Sequence, residues 1–512
     1  MINHSPIEFP RAFAFAIDDL GWNEGSDLAK DTPGGPHRAG VKRTFDINDY
    51  RYIIEVGKAV GVRIQSLFVL GEMDRENTLA KYPTTTRMKE RWNNGALVNE
   101  SQVAIMRFVR DQASAIEFGF HGTGHEYWAE DGIPRRAEWY NLTDRKPWPE
   151  ESLRGHIQAF REILSQYDLD KANGHSFPES FVPCAYSYYW NPNGEYSIGK
   201  LMREAGVKYA NTDFGQIPEL NPPKEINGGG FDHGLHVINR NNYGNPWYAL
   251  ACLPNVTLDL QYTDIIESHW PNWLAQDDFL QADVTKQWID YYKSVQRYKN
   301  RYIAKNTEQL HSQWLYNKYT CVVVNGNTVE IDNTRMPDEA YEHSKPGNMV
   351  LKVRLNSNEH VSSAVLDDQL VPGYFEDQGF GFLYLPPLEK KKYTLTFEIG
   401  KTTIPLVVCN TGTYNVYHLS QQSGEIKINV RMYGSQVMKV RCPRPFNIAS
   451  DNAALVLEKM EYNEHEQMAY VHVRATDFQG VTGNIFLVSG NSHLAPPKRL
   501  REGEADRTDQ CK

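Results

Sequence analysis

The sequence predicts an α/β barrel that is followed by two small β-sandwiches. Strand-like and helix-like segments alternate from about residue 10 to about residue 300, which argues for one parallel α/β domain, and we expect a barrel. After about residue 310 the pattern changes to short strands separated by turn residues, for which two sandwiches are the simplest account. Polar residues fall at the ends of predicted strands, where parallel α/β folds place their sites.

The predicted elements follow from hydrophobic periodicity. The first strand, 12–17, is apolar on both faces, as in a parallel strand covered on both sides, and it runs directly into Asp18 and Asp19. The remaining barrel elements are a helix at 47–60, a strand at 62–70, a helix at 98–115, a strand ending at His121, a helix through Tyr167, a strand ending at Pro183, a helix at 195–205, a strand at 207–210 and a helix at 283–302.

The domains are predicted from the same change of pattern. A hairpin turn at Asn325-Gly326-Asn327 opens the first of the two β regions. The polar tail is predicted to be disordered. The predicted units are a barrel over 1–310, sandwiches over 315–400 and 401–490, and a tail over 491–512.

Composition narrows the classes of function. A net charge of −10 disfavours a nucleic-acid partner, and no apolar run is long enough to span a membrane. The six cysteines are scattered without a C-x-x-C pair, so they form no metal framework. No signal peptide is visible, so we expect a cytoplasmic protein or one whose signal has been removed. The sequence leaves open whether the chain forms a homo-oligomer.

Two histidines stand four residues apart in the stretch His121-Gly122-Thr123-Gly124-His125. If the intervening residues make one turn, both imidazoles can point at one site, which suits zinc or a similar divalent metal. An isolated pair of this kind is more often part of a polar loop. A metal site needs at least one more protein ligand.

The further ligands are predicted to come from other strand ends. Asp18 and Asp19 end the first strand, and His269 follows a strand near the end of the barrel. In a closed barrel these ends meet on one face. One carboxylate with two histidines forms a facial metal triad, while a second carboxylate can act as a base and a separate histidine as an acid.

These residues resemble the motifs of the polysaccharide deacetylase family, which is carbohydrate esterase family four with its nodulation-deacetylase homology domain. The Asp18-Asp19 strand end and the pair His121 and His125 match the first two motifs. The resemblance, which covers residues 10 to about 300, implies a (β/α)7-like barrel. It also implies Asp18 as catalytic base, and Asp19, His121 and His125 as ligands of a divalent metal, with zinc expected.

The resemblance extends to three later segments. The stretch from Phe181 to Tyr186 lies where the third motif is expected, which implies that the Tyr186 backbone N–H donates to the oxyanion. His269 fits the catalytic acid of the last motif, and Asp213 matches the fourth. Candidate residues that line the substrate are Trp128, Asp213 and Trp270, although each tryptophan is more often a core residue.

This chain departs from the family pattern at three places. Val182 stands where the third motif carries an arginine that holds the base, so either another cation such as Arg11 or Arg240 orients Asp18 or the activity is weak. Gly122 stands where a serine or threonine is usual. His269-Trp270-Pro271 replaces the usual leucine-histidine-aspartate. The chain is therefore identified as a divergent member.

The resemblance implies a metal-dependent deacetylase that hydrolyses an N- or O-acetyl group on a poly- or oligosaccharide. One alternative is a glycoside hydrolase on a related barrel, which would use carboxylates such as Asp18 and Asp213 without a metal. Another is a catalytically inactive carbohydrate-binding protein in which the sandwiches bind the glycan. The sequence leaves the identity of the sugar open.

Overall fold

The computed structural model describes most of the chain. The described residues are 6–21, 45–131, 134–135, 137–217, 228–298, 300–404, 406–422 and 424–489. The tail predicted at 491–512 lies outside these ranges.

The N-terminal part contains twelve strands and six of the seven helices described. The strands are β1 (Ile7–Glu8), β2 (Arg11–Leu20), β3 (Ile64–Val69), β4 (Ile116–Gly122), β5 (Tyr127–Trp128), β6 (Pro134–Arg135), β7 (Ser180–Phe181), β8 (Tyr209–Thr212), β9 (Gly229–Asp232), β10 (Leu235–Asn241), β11 (Ile265–His269) and β12 (Arg301–Ile303). The helices are α1 (Ile47–Val60), α2 (Glu100–Asp111), α3 (Glu150–Ser165), α4 (Ile198–Ala205), α5 (Gln281–Val295) and α6 (Thr307–Tyr319).

Seven parallel strands close into a barrel in the order β2, β3, β4, β7, β8, β10 and β11. Closure comes from the parallel pairing of β11 with β2, which runs from Ile265 opposite Ala14 to His269 opposite Asp18. Strand β12 pairs with β2 outside this ring. The predicted barrel is therefore confirmed, and its closure brings the first and last strand ends to the same level.

The crossovers between the barrel strands are less regular than in the (β/α)7-like barrel that the resemblance implied. Helices α1 to α4 lie in the first four crossovers. Among the described residues, no α-helix lies between β8 and β10 or between β10 and β11. Helix α1 shows why the regular crossovers form, because Asp46 caps its N-terminus with a capping box and Gly61, at φ 65°, ends it.

In its described residues, the C-terminal part contains sixteen strands and one short α-helix, α7 (Glu339–Glu342). The strands are β13 (Cys321–Asn325), β14 (Thr328–Asp332), β15 (Met349–Arg354), β16 (His360–Leu366), β17 (Gln369–Leu370), β18 (Gly373–Asp377), β19 (Phe380–Leu385), β20 (Lys392–Gly400), β21 (Val408–Cys409), β22 (Asn415–Gln422), β23 (Glu425–Met432), β24 (Ser435–Arg441), β25 (Phe446–Ser450), β26 (Leu455–Asn463), β27 (Met468–Ala475) and β28 (Val481–Ser489).

One eight-stranded sheet runs through both predicted sandwich regions, in the order β1, β15, β19, β18, β21, β24, β27 and β26. A five-stranded sheet (β13, β14, β20, β16, β17) and a four-stranded sheet (β22, β23, β28, β25) complete the β region. Separate apolar clusters lie in the two halves, one built around Leu351 and Phe397 and the other around Ile428 and Val471. The parallel pairing of β18 with β21 joins the halves.

Helix α6 connects the barrel to the sheets and is largely buried. Near its start, Glu308 Oε2 lies 2.6 Å from Arg431 Nη1 of β23, while Arg431 Nη2 lies 2.5 Å from Glu179 Oε2 in the barrel. The Arg431 side chain is 8% exposed. A buried arginine between two carboxylates therefore ties the C-terminal sheets to the barrel.

None of the helices in the described ranges is long and apolar enough to cross a membrane.

We expect Arg431→Met to destabilise the protein by about 3–5 kcal/mol, because it leaves buried Glu308 without its cation and leaves Glu179 with Lys208 alone. Urea denaturation at pH 7.5 measures the effect. Arg474→Met is the matched control, since Arg474 and its partner Glu458 are 48% and 47% exposed, and it should cost about 0–1 kcal/mol. Equal effects of the two substitutions would show that the interface does not depend on Arg431.

Candidate functional site

A local break in β2 brings Asp18 and Asp19 to the same face of the barrel. The pairing of β2 with β3 is regular up to Ile17 and then shifts before Leu20, which marks a bulge. Asp19 has a left-handed backbone, with φ 71°. Neighbouring residues on a regular strand point to opposite sides, so the bulge and this φ value allow both carboxylates to reach one site.

Asp18 forms a bidentate ion pair with Arg240 inside the barrel. Arg240 Nη1 donates to Asp18 Oδ1 at 2.8 Å, and Nη2 donates to Oδ2 at 2.5 Å. Arg240 Nε lies 3.3 Å from Glu267 Oε2, and the Tyr186 hydroxyl donates to Glu267 Oε1 at 2.6 Å. Arg240, Asp18 and Glu267 are each at most 3% exposed in their side chains. One arginine thus holds two buried carboxylates.

The protonation of this network follows from burial and from the arginine. Burial opposes ionisation of Asp18, but the Arg240 guanidinium outweighs it and holds the pKa of Asp18 below its ordinary value. The two carboxylates raise the pKa of Arg240 despite its burial. Burial raises the pKa of Glu267 above its ordinary value, with Arg240 acting in the opposite direction. Asp18 therefore ionises at a lower pH than Glu267.

Asp19 faces both predicted histidines. Its Oδ1 atom lies 3.4 Å from His121 Nε2 and 3.6 Å from His125 Nε2. The other ring nitrogen of His121 donates to the Val182 carbonyl at 2.8 Å, which directs Nε2 toward Asp19. Burial favours a neutral Asp19, but the neighbouring histidines outweigh it and hold the pKa of Asp19 well below its ordinary value.

The donor set around Asp19 fits a divalent metal. Asp19 Oδ1 is buried and has no hydrogen-bond partner within the described part of the chain, while two imidazole nitrogens approach it. One carboxylate and two imidazoles suit zinc and related metals. Burial, followed by the charge of nearby Glu138, raises the pKa of the Cys184 thiol well above its ordinary value.

Two clusters of metal-ligating groups lie close together in the described residues. One contains His121, His125 and Cys184, and the other contains Asp18, Glu267 and His269, with ligand atoms within 4.8 Å of one another in each. The second cluster also contacts the Arg240 guanidinium, whose charge disfavours a cation there. Of the two clusters, the one with His121 and His125 is therefore the better place for a cation.

His269 lies at the end of β11, directly opposite Asp18 in the parallel register. Its Nε2 atom is 3.9 Å from Asp18 Oδ2, and its Nδ1 atom is 3.9 Å from Glu267 Oε1. The His269 backbone N–H donates to Asn272 Oδ1 at 2.8 Å, which fixes the chain as it leaves the strand. The His269 side chain is 12% exposed, so it borders the buried network on its outer side.

Tyr186 lies in a strained turn after β7. Both Ala185 and Tyr186 have left-handed backbones, with φ 50° and 58°, a conformation that costs energy for residues other than glycine. The turn directs the Tyr186 hydroxyl to Glu267. The sequence resemblance concerned the backbone N–H of Tyr186, whereas the contact that the structure adds is made by its side chain.

The three candidate lining residues, Trp128, Asp213 and Trp270, lie in different surroundings. Trp128 and Trp270 are 1% and 0% exposed, and Trp270 packs on Tyr50 with ring centroids 4.8 Å apart. Asp213 follows β8 and accepts hydrogen bonds from the Asn241 side chain at 2.9 Å and the Gly215 N–H at 2.8 Å. In this structure, both tryptophans lie in the protein interior.

The structure distinguishes between the two cations considered for Asp18. Arg11 pairs with Asp264 at 2.5 Å and donates to the Tyr262 carbonyl at the start of β11. Arg240 holds Asp18. Glu138 was not predicted from the sequence, and it accepts the Thr123 and His125 N–H groups. No local sequence pattern marks Glu138.

Comparisons with known proteins give little further guidance. No family model matches this sequence, and no curated protein matches it. A solved structure of a GH57-type branching enzyme from the hyperthermophilic archaeon Pyrococcus horikoshii is similar to this chain at 11% sequence identity and a TM-score of 0.28. The similarity covers 57% of this chain and 62% of that one, which is less than two thirds of its length. A function for this protein is therefore inferred from the chemistry of the site.

We expect Arg240→Met to lower the free energy of unfolding by about 3–5 kcal/mol at pH 7.5, since it leaves Asp18 and Glu267 buried without a cation. The pKa of Asp18 in the folded wild type is below its ordinary value, so the ion pair stabilises the protein above that value and is lost as the pH falls. The gap between variant and wild type should therefore be largest at neutral pH and narrow on acidification.

Urea denaturation at pH 7.5 and at pH 3 tests this expectation, because the ion pair is lost only below the ordinary Asp pKa of 3.8. Arg154→Met is the control, because Arg154 is 45% exposed and pairs with Glu150 on the surface of α3. A gap that stayed constant with pH would show that Arg240 acts through packing alone.

Proposed function

We propose that this protein is a metal-dependent hydrolase that removes an acetyl group from a carbohydrate. The main support for the proposal is that two carboxylates adjacent in sequence have different partners. Asp18 pairs with Arg240, and Asp19 faces His121 and His125. In metal-dependent hydrolysis one carboxylate can serve as a ligand and another as a base, and these separate partners suit that division. The resemblance of the sequence motifs to polysaccharide deacetylases supplies the substrate class.

Asp19, His121 and His125 would hold the metal. When bound there, a divalent ion such as zinc supplies a Lewis acid and lowers the pKa of a coordinated water. The protein orients these ligands through the hydrogen bond from His121 to the Val182 carbonyl.

Asp18 acts as the general base and takes a proton from the attacking water. Arg240 keeps Asp18 ionised and fixes the plane of its carboxylate through two hydrogen bonds. Arg240 therefore takes the place of the arginine that the sequence lacks at Val182. A base held by a bidentate pair has a lowered pKa, so we expect the acidic limb of the pH–rate profile to lie below pH 5.

His269 acts as the general acid and gives a proton to the leaving amine or alcohol. Glu267 Oε1 lies 3.9 Å from His269 Nδ1 and can orient the ring, while the Tyr186 hydroxyl donates to the same oxygen and Arg240 Nε lies 3.3 Å from Oε2. The acid and the base are thus held by one connected set of side chains. Proton transfer at two positioned groups is the usual basis of general acid–base catalysis.

The glycoside-hydrolase alternative would use a protonated carboxylic acid and a carboxylate. Asp18 is paired with Arg240 and has a lowered pKa, so it cannot be the acid of such a pair. Asp213 accepts hydrogen bonds from Asn241 and Gly215 and makes no recorded contact with Asp18 in the described residues. These contacts argue only against Asp18 and Asp213 as the acid and carboxylate of a glycoside hydrolase.

The direct test combines metal analysis with two turnover assays. Purified protein should contain about one divalent metal per chain, release acetate from a panel of acetylated oligosaccharides, and lose this activity on chelation. The same panel is assayed for new reducing ends. Reducing ends without acetate and without dependence on metal would favour the glycoside hydrolase, and neither product would favour a binding protein.

The two aspartates should respond differently to the same substitution. Asp18→Asn should retain the metal and lower kcat by about a hundredfold or more, the usual scale for a general base. Asp19→Asn should weaken metal binding first, because it removes a charged ligand. Metal content and acetate release are measured on both variants. Full acetate release by Asp18→Asn with the metal bound would show that Asp18 is not the base.

A further inference from the structure

A buried carboxylate, Glu138, organises the backbone between the two histidines. It accepts the Thr123 N–H at 2.9 Å on Oε1 and 3.1 Å on Oε2, and the His125 N–H at 2.9 Å on Oε2. Glu138 and Thr123 are both 0% exposed. Two backbone donors inside the H-x-x-x-H stretch therefore depend on one side chain, which comes from the chain after β6.

His156 of α3 fixes Glu138 from the other side. Its Nδ1 atom lies 2.7 Å from Glu138 Oε1, and its Nε2 atom lies 3.0 Å from the Thr84 hydroxyl. Because an ionised carboxylate only accepts hydrogen bonds, Nδ1 carries the hydrogen and Nε2 accepts from Thr84. The Thr123 hydroxyl also donates to the His156 carbonyl at 2.8 Å. The histidine stretch is thus connected to α3 through side chain and backbone.

Gly122 leaves the space that Glu138 occupies. A Cβ atom at position 122 would lie 2.1 Å from Glu138 Oε2 and 2.8 Å from Cys184 Sγ. Such distances are far below van der Waals contact, so a side chain at 122 and a carboxylate at 138 exclude each other. Gly122 stands where the deacetylase family usually has serine or threonine. Its lack of a side chain therefore leaves room for the Glu138 carboxylate.

We propose that Glu138 is a positioning residue that sets the backbone from His121 to His125 and so directs both imidazoles at Asp19. His125 has a left-handed backbone, with φ 65°, which a non-glycine residue adopts at a cost. The hydrogen bond from its N–H to Glu138 holds that conformation. The link to a metal rests on the proposed function, whereas the effect on the backbone does not.

Glu138→Gln tests the role of the carboxylate with almost no change in volume. The amide turns one acceptor into a donor, so it removes either the His125 N–H contact or the contact with His156 Nδ1–H, which then forms only if the ring takes its other tautomer. In metal-free protein, hydrogen–deuterium exchange should become faster in peptides that cover 119–128. Zinc affinity, measured by competition with a chelator, should fall by about 10- to 100-fold, as for other residues that orient metal ligands.

Glu130→Gln is the matched control. Glu130 is exposed and lies in the same part of the chain, so its substitution should change neither exchange over 119–128 nor zinc affinity. Unchanged exchange in Glu138→Gln would overturn the proposal. If wild-type protein binds no zinc but Glu138→Gln still exchanges faster, the proposed function fails and the positioning role stands.

A double-mutant cycle tests the link between Gly122 and Glu138. Gly122→Ala should weaken zinc binding by about tenfold or more in the wild-type background, because the new methyl group displaces Glu138. In the Glu138→Ala background the clash with the carboxylate is absent, so the same substitution should have a smaller effect. Equal effects in the two backgrounds would show that Gly122 is not required by Glu138, and would overturn that part of the proposal.

Discussion

The buried pair of Asp18 and Arg240 is the interaction on which the site depends. It joins β2 to β10 across the interior of the barrel and leaves both side chains almost inaccessible to water. Two buried charges are stable only when each has its partner, so the pair fixes the position of both strands. Arg240 also reaches Glu267 on β11. Arg240 therefore connects the carboxylates of β2 and β11 to β10.

A second constraint is the geometry at the end of β2. The bulge between Ile17 and Leu20 and the positive φ of Asp19 point two adjacent carboxylates into one site. Barrel closure through β11 and β2 then places His269 opposite Asp18. The strained backbones of Asp19 and His125 persist because buried hydrogen bonds and ion pairs hold the residues around them. Local strain and long-range pairing together make one site from residues that are distant in sequence.

Much of the barrel and of the candidate site could be predicted from the sequence. The alternation of strands and helices predicted the parallel barrel, and the positions of Asp18, Asp19, His121, His125 and His269 at strand ends predicted that they would meet. Helical crossovers were harder to predict, since the described residues between β8 and β11 contain none. The continuous eight-stranded sheet also could not be predicted from the sequence. Pairing of β18 with β21 depends on which strand edges lie side by side in the folded protein.

The sequence by itself determined the kinds of side chain available and the strand ends that carry them. Periodicity of apolar residues sets these ends, because it depends only on local geometry. The tertiary structure alone decided that Arg240 rather than Arg11 holds Asp18, that Glu267 is buried, and that Glu138 fills the space beside Gly122. These contacts join residues between 16 and 222 positions apart, and their energies come from burial and charge. No local sequence pattern predicts which distant residue each charged side chain will contact.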